Sequence, residues 1–287
     1  MVNYRSLEPE VVAGFTKGNE NIFENNLLLI ENDYFRNSFK TKLINHSMEK
    51  FTKADEFYLS ERKKIAKSKG KLEIFDVADH FGLYSGMHTI GRSLFIYEIL
   101  KNTLQTPGHI AEFGCWKGNN LLFMAKVLSL LQHHSIKQIY GFDSFEGLQT
   151  FSKEDGESTK EIFQNTYVGN EANIRDFLSL YEMESWVNLV IGDAMTSIDK
   201  FDKENPHLMF SLCYIDFDLY QPCAKALEFS DARLSVGGYI LLDEALTDTW
   251  KGEGQALREF LTKNEGKYEM IGNHITRQPT VVLKKIK

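Results

Sequence analysis

The chain has 287 residues, 43% of them hydrophobic and 25% charged, a balance that suits one globular core with a modest extension. A formal net charge of −7 argues against nucleic acid or an anionic membrane surface as the main partner. No apolar run reaches the roughly 18 residues of a membrane span, no signal peptide is visible, and Cys115, Cys213 and Cys223 follow no zinc or disulfide spacing. A soluble protein of a reducing, cytoplasmic compartment is expected.

Residues 1–83 read as a polar, N-terminal helical extension, and 84–287 as the main domain. Periodicity over 35–69 supports one or two amphipathic helices, and the basic run at 61–71 reads as a solvated helix end. A helix over 91–104 carries Leu94, Ile96, Tyr97, Leu100 and Leu104 and stops before Pro107-Gly108. Strands then follow at 109–113, 138–142, 187–191, 211–215, 239–242, 268–271 and 280–283. Helical patterns at 118–131, 171–181, 195–201 and 222–234 separate the first five, and one at 253–262 precedes the last pair. Such alternation specifies an α/β fold with a mainly parallel sheet. The eight residues "GNHITRQP" are too few for a helical crossover, so the last two strands pair antiparallel.

In such a sheet the ligand lies at the carboxyl ends of the strands, which makes the residues there the informative ones. The first end, "AEFGCWKGNN", has Gly114 for a tight turn and Gly118 for close backbone approach at a helix start. Glu112 opposes a pyrophosphate and suits a cationic ammonium, such as the amino-acid end of S-adenosylmethionine; pairing with a neighbouring Lys or Arg is the alternative. The second end places Asp143 where an acid takes ribose hydroxyls or caps the next turn. At the third, Gly192, Asp193 and Ala194 suit an adenine amino group or a helix cap. The fourth and fifth bring Asp216, Asp218, Asp243 and Glu244 together. Four carboxylates at adjacent tips repel unless a cation or ordered donors stand between them, and hard oxygen donors favour Mg²⁺, Ca²⁺ or Mn²⁺.

The ordered series "EFGCWKG", "GFDSFEGL", "YIDFDLY" and "LSVGGYILLDE" resembles the macrocin O-methyltransferase (TylF-type) family over roughly Tyr84 to Phe260. The resemblance implies a class I methyltransferase Rossmann-like fold, with a mostly parallel seven-stranded sheet and an antiparallel last strand. It also implies S-adenosylmethionine- and Mg²⁺-dependent methylation of a sugar hydroxyl. "YSGMHTIGRSLFIYEIL" looks like the segment that folds over the cofactor, which would bring Met87 and Thr89 near it. By the same resemblance Glu112, Gly114 and Trp116 flank the methionine end, in a turn that includes Cys115 and Gly118. Asp143 holds the ribose, with Ser144 and Phe145 near the adenine. Asp216, Asp243 and Glu244 bind the metal, Asp216 also influences proton removal, and Asp218 stands behind them. Two departures count against a macrolide-sugar substrate: Glu244 replaces a second Asp, and Phe217 replaces the Gly between the two acids of the fourth strand end.

The expected activity is O-methylation of a sugar on a natural product or surface glycan, with the acceptor unnamed. The polar stretch 149–165 reads either as a mobile lid or as a surface loop. The N-terminal helices either cap the pocket or make a homo-oligomer contact. Two other functions remain open, a nicotinamide-dependent oxidoreductase and a non-catalytic S-adenosylmethionine-binding subunit.

Overall fold

A computed structural model describes residues 78–287, except 132, 135 and 274, together with residues 61, 64 and 67. The helices expected over 35–69, most of the basic run and most of the extension lie outside the described residues. The elements below belong to the compact unit Ile74–Lys287.

A short helix α1 (Phe81–Tyr84) and a long one α2 (Met87–Thr103) lead into β1 (His109–Phe113). Then come α3 (Asn119–Leu130), β2 (Ile139–Asp143), α4 (Glu157–Phe163), α5 (Glu171–Leu180), β3 (Val187–Ile191) and α6 (Ala194–Glu204). The chain continues through β4 (Phe210–Ile215), α7 (Tyr220–Arg233), β5 (Leu234–Leu242), α8 (Lys251–Lys263), β6 (Tyr268–Ile271) and β7 (Val281–Lys285). The strands form one sheet in the order β3-β2-β1-β4-β5-β7-β6. The first five are parallel, and β7 runs antiparallel to both β5 and β6, as the short connection requires.

Strands buried on both faces read as continuous apolar runs, and β4 (FSLCYI) is buried throughout. On one face Phe113, Phe142 and Phe210 pack with Ile198 and Phe201 of α6, Phe229 of α7 and Phe260 of α8. On the other, Ile110, Leu212 and Tyr214 pack with Phe95 and Ile96 of α2, Met124 of α3 and Ile174 of α5. Each fully buried large side chain of this kind contributes roughly 1.5–3 kcal/mol of transfer free energy.

The two largest boundary differences from expectation both involve glycines. β5 starts at Leu234, not 239, and passes through Gly237-Gly238. Gly237 takes a φ of +87°, and a Cβ on Gly238 would lie 2.9 Å from Ser211 O, so these glycines make an irregularity inside the strand rather than a break. α2 starts at Met87 and runs through Gly91, whose missing side chain lets Ile275 O approach within 3.2 Å of the Cβ position. This contact brings the helix against the β6–β7 connection. The strand order reverses between β1 and β4, which places a crevice at their carboxyl ends.

Candidate active site

A cleft of about 350 Å³ opens at that crevice. Gly114, Asp143, Gly192, Asp216 and Asp243 line it, one from the end of each parallel strand.

The first turn is held from the second strand. Asp143 Oδ2 accepts the backbone N–H groups of Cys115 and Trp116, both at 2.7 Å, and Oδ1 accepts that of Phe145 at 2.7 Å. Three of about four carboxylate lone-pair sites are thereby filled. Gly114 (φ +94°) passes so close to β4 that a Cβ would lie 2.0 Å from Asp216 O. Gly118 (φ +79°) precedes α3, with Ile174 Cγ1 at 2.8 Å from its Cβ position. Cys115 turns its buried thiol inward, beside the space left by Gly141, so it offers its backbone to the turn. Glu112 lies under this turn, 1% exposed, and its Oε2 has no partner. Burial pushes its pKa up to about 8, with Arg92 opposing the rise and Asp143 adding to it.

The other sequence-derived candidates divide. Trp116, Ser144, Gly192, Asp193 and Ala194 line the cleft. Asp193 also caps α6, its Oδ1 accepting the Met195 N–H at 3.0 Å. Phe145 packs inward beside Gly169 instead of lining the cleft. Met87, 91% exposed, and Thr89 stand on the first turn of α2, away from the cleft lining. The residue of α2 that reaches the cleft is Arg92.

Arg92 sits among the strand-tip acids. Its Nη2 lies 2.8 Å from Asp243 Oδ1 and 3.1 Å from Asp216 Oδ2, and donates to the Tyr214 hydroxyl at 3.0 Å. Tyr214 in turn donates to Asp243 Oδ1 at 2.5 Å. The Gln278 amide donates to Asp243 Oδ2 at 3.2 Å and also contacts Glu244 Oε1. Burial raises the carboxyl pKa of Asp216, Asp218, Asp243 and Glu244, to about 8 for Asp218, and Arg92 opposes the rise at each. Behind them Glu253 is fully buried; its Oε1 accepts the Glu244 N–H at 3.2 Å and its Oε2 has no partner.

Residues 93–275 match the macrocin-O-methyltransferase (TylF) family model. The chain belongs to that family. A curated relative from Streptomyces olivaceus, 8-demethyl-8-(2,3-dimethoxy-alpha-L-rhamnosyl)-tetracenomycin-C 4'-O-methyltransferase, is 25% identical over 150 residues. That match covers 50% of this chain and 54% of the relative, so the chain spans about half the relative's length. Among solved structures, the calicheamicin methyltransferase CalS11 aligns with a TM-score of 0.63 at 21% identity, covering 82% of this chain and 94% of that one. The O-methyltransferase NovP aligns at 0.58 and 19% identity, covering 69% and 81%. These likenesses establish the class I methyltransferase fold, with the expected sheet.

Within this TylF-family chain, sequence reading overlooks several cleft residues, among them Arg92, Tyr167, Trp250 and Gln278. Trp116, Tyr167 and Trp250 form an aromatic wall, with ring centroids 5.6 Å and 6.2 Å apart along the series. Trp116, Tyr167 and Asp218 hold left-handed backbone at φ of 46°, 57° and 62°. Such conformations cost on the order of 1–3 kcal/mol each and persist where surrounding structure fixes them. For Arg92 a signal was available, since so many adjacent acids call for a counter-cation and α2 leads straight into β1.

Proposed function

We propose that this chain is an S-adenosylmethionine-dependent O-methyltransferase acting on a sugar hydroxyl of a natural product or glycan. Glu112 carries this reading. A buried carboxylate oxygen without a partner calls for a cation, and the methionine end of the cofactor supplies an ammonium group. Arg92 Nε, also buried and without a partner, suits the carboxylate of the same zwitterion. The Gly114 turn has no room for a Cβ, as a cradle for close approach requires.

The cofactor supplies a methyl group already activated on a sulfonium, so the protein must align the acceptor oxygen and remove its proton. Alignment is worth on the order of 7–11 kcal/mol at best. Trp116, Tyr167 and Trp250 provide flat faces for a sugar ring and exclude water from it. Asp216 is engaged by Arg92, which leaves Asp218, lining the cleft with a pKa near 8, as the carboxylate assigned to accept the hydroxyl proton. Magnesium has the right donor chemistry in Asp216, Asp243 and Glu244. Their arrangement does not fit it, because Arg92 and Gln278 are seated on these acids. Among the described residues no three His, Cys, Asp or Glu side chains are grouped to hold a metal.

Acceptor choice is assigned to residues 1–80 and the segment 149–165, and the rhamnoside relative makes rhamnosides the first acceptors to test. A cytoplasmic site of action suits three unpaired, buried thiols. Calorimetric titration with S-adenosylmethionine, followed by transfer of labelled methyl to rhamnosides and nucleotide-linked deoxysugars, tests the proposal. Binding and label transfer are expected. Failure of the folded chain to bind the cofactor would overturn the proposal, and binding without transfer across the panel would favour a non-catalytic role.

A further inference from the structure

Five carboxyl groups crowd one end of the sheet: Asp216 and Asp218 after β4, Asp243 and Glu244 after β5, and Glu253 on α8. Such a cluster needs either a bound cation or protein donors. The described structure supplies donors, and one of them carries a full positive charge.

We propose that Arg92 is the resident cation of this cluster, occupying the place where a divalent metal would bridge Asp216 and Asp243, so that the chain works without a metal ion. The clause on catalysis rests on the methyltransferase reading; the clause on occupancy stands on geometry alone. The guanidinium Nη2 touches both acids, at 2.8 Å and 3.1 Å. Asp243 Oδ1 accepts the Tyr214 hydroxyl proton and lies in ion-pair contact with Arg92 Nη2. Asp243 Oδ2 and Glu244 Oε1 both meet the Gln278 amide. Each acid of the expected metal set therefore already has a protein donor. An arginine does not lose its proton to become a ligand. A divalent ion at the same point would have to expel it or stand a few ångströms from its charge.

The placement is built into the chain. Gly91 lies directly before Arg92 and is the point where α2 closes on Ile275 and Thr276, on the connection that also carries Gln278. A glycine inside a helix is less favourable than alanine, and here it allows the approach that puts Arg92 and Gln278 over the same carboxylates. Arg92 Cζ also lies 5.7 Å from the Tyr214 ring centroid, within cation–π range.

The test uses Mn²⁺ as a paramagnetic probe, titrated into the full-length chain with S-adenosylhomocysteine present and read by electron paramagnetic resonance. The wild type should leave Mn²⁺ in its free hexa-aquo signal. Arg92→Met should create a site, seen as loss of that free signal, and adding Asp243→Asn to Arg92→Met should abolish it. Stoichiometric binding by the wild type that Asp243→Asn removes would overturn the proposal. So would an Arg92→Met variant that folds by circular dichroism yet binds no Mn²⁺. If Arg92→Met does not fold, the wild-type titration with its Asp243→Asn control decides. Turnover should be unchanged by EDTA, and loss of turnover restored by Mg²⁺ would also count against it. A chain that fails to bind cofactor sinks the methyltransferase reading without altering the Mn²⁺ result.

Discussion

Glu112 faces two opposed demands. Its burial favours a neutral carboxyl, with a pKa near 8, while the role assigned to it needs a carboxylate. Binding an ammonium must then drive a proton off. At pH 7 calorimetric titrations in buffers of different ionisation enthalpy should show proton release on cofactor binding, approaching one per site, and less at pH 9. Glu112→Gln should abolish the release and weaken binding roughly 10- to 100-fold, the worth of about 1.5–3 kcal/mol for a hydrogen bond to a charged group. An unchanged affinity in that variant would remove Glu112 from the cofactor site. Asp143 has a structural task as well, because its oxygens accept the backbone N–H groups of the turn before any ligand arrives.

The segment over 149–165, expected as a lid or a surface loop, is tied down at both ends and in the middle. Leu148 and the pair Asn165 and Thr166 exchange backbone hydrogen bonds at 2.9 Å and 3.0 Å, where Gly147 (φ +80°) lets Thr166 O approach. Between them Asp155, 2% exposed, accepts the Tyr220 N–H at the start of α7 and both the N–H and hydroxyl of Ser152. Gly252 of α8 leaves the space its carboxylate fills. A negative group at the N-terminus of α7 is favoured by the helix dipole as well. Asp155→Ala should cost about 2 kcal/mol, lowering Tm by roughly 4–8 °C. Limited proteolysis should cut first within 149–165. A protease pattern identical to wild type would show that the anchor lies elsewhere. None of this was readable from composition, because a polar run looks alike whether it hangs free or is clamped by one buried aspartate. The strands were different: β1, β3 and β6 have their expected bounds because apolar runs there end at clear punctuation. Gly91 and Gly237-Gly238 misled because in this fold they mark close approach, not termination.

At the scale of the molecule, the acids at the sheet's carboxyl end make stability and function pull apart. Glu112 has a folded-state pKa near 8 against an unfolded value of 4.5, so between those values the folded chain binds more protons than the unfolded one. Glu253 is shifted in the same direction by burial. Stability from this source is present below pH 4.5 and is lost as pH rises through 8. Differential scanning of the cofactor-free chain should therefore show Tm falling from pH 6 to 8.5. Glu112→Gln should flatten that slope and raise Tm at the upper end. A Tm that climbs over this range would contradict the assignment. The acids were legible because strand periodicity fixes which residues stand at the tips. Tyr167, Trp250 and Gln278 were not, since loop packing, unlike strand alternation, leaves no period in the sequence. The Arg92 bridge has a physiological corollary. A charge carried on the chain is present in every molecule from the moment it folds, so such an enzyme keeps its pace when the surrounding supply of magnesium falls.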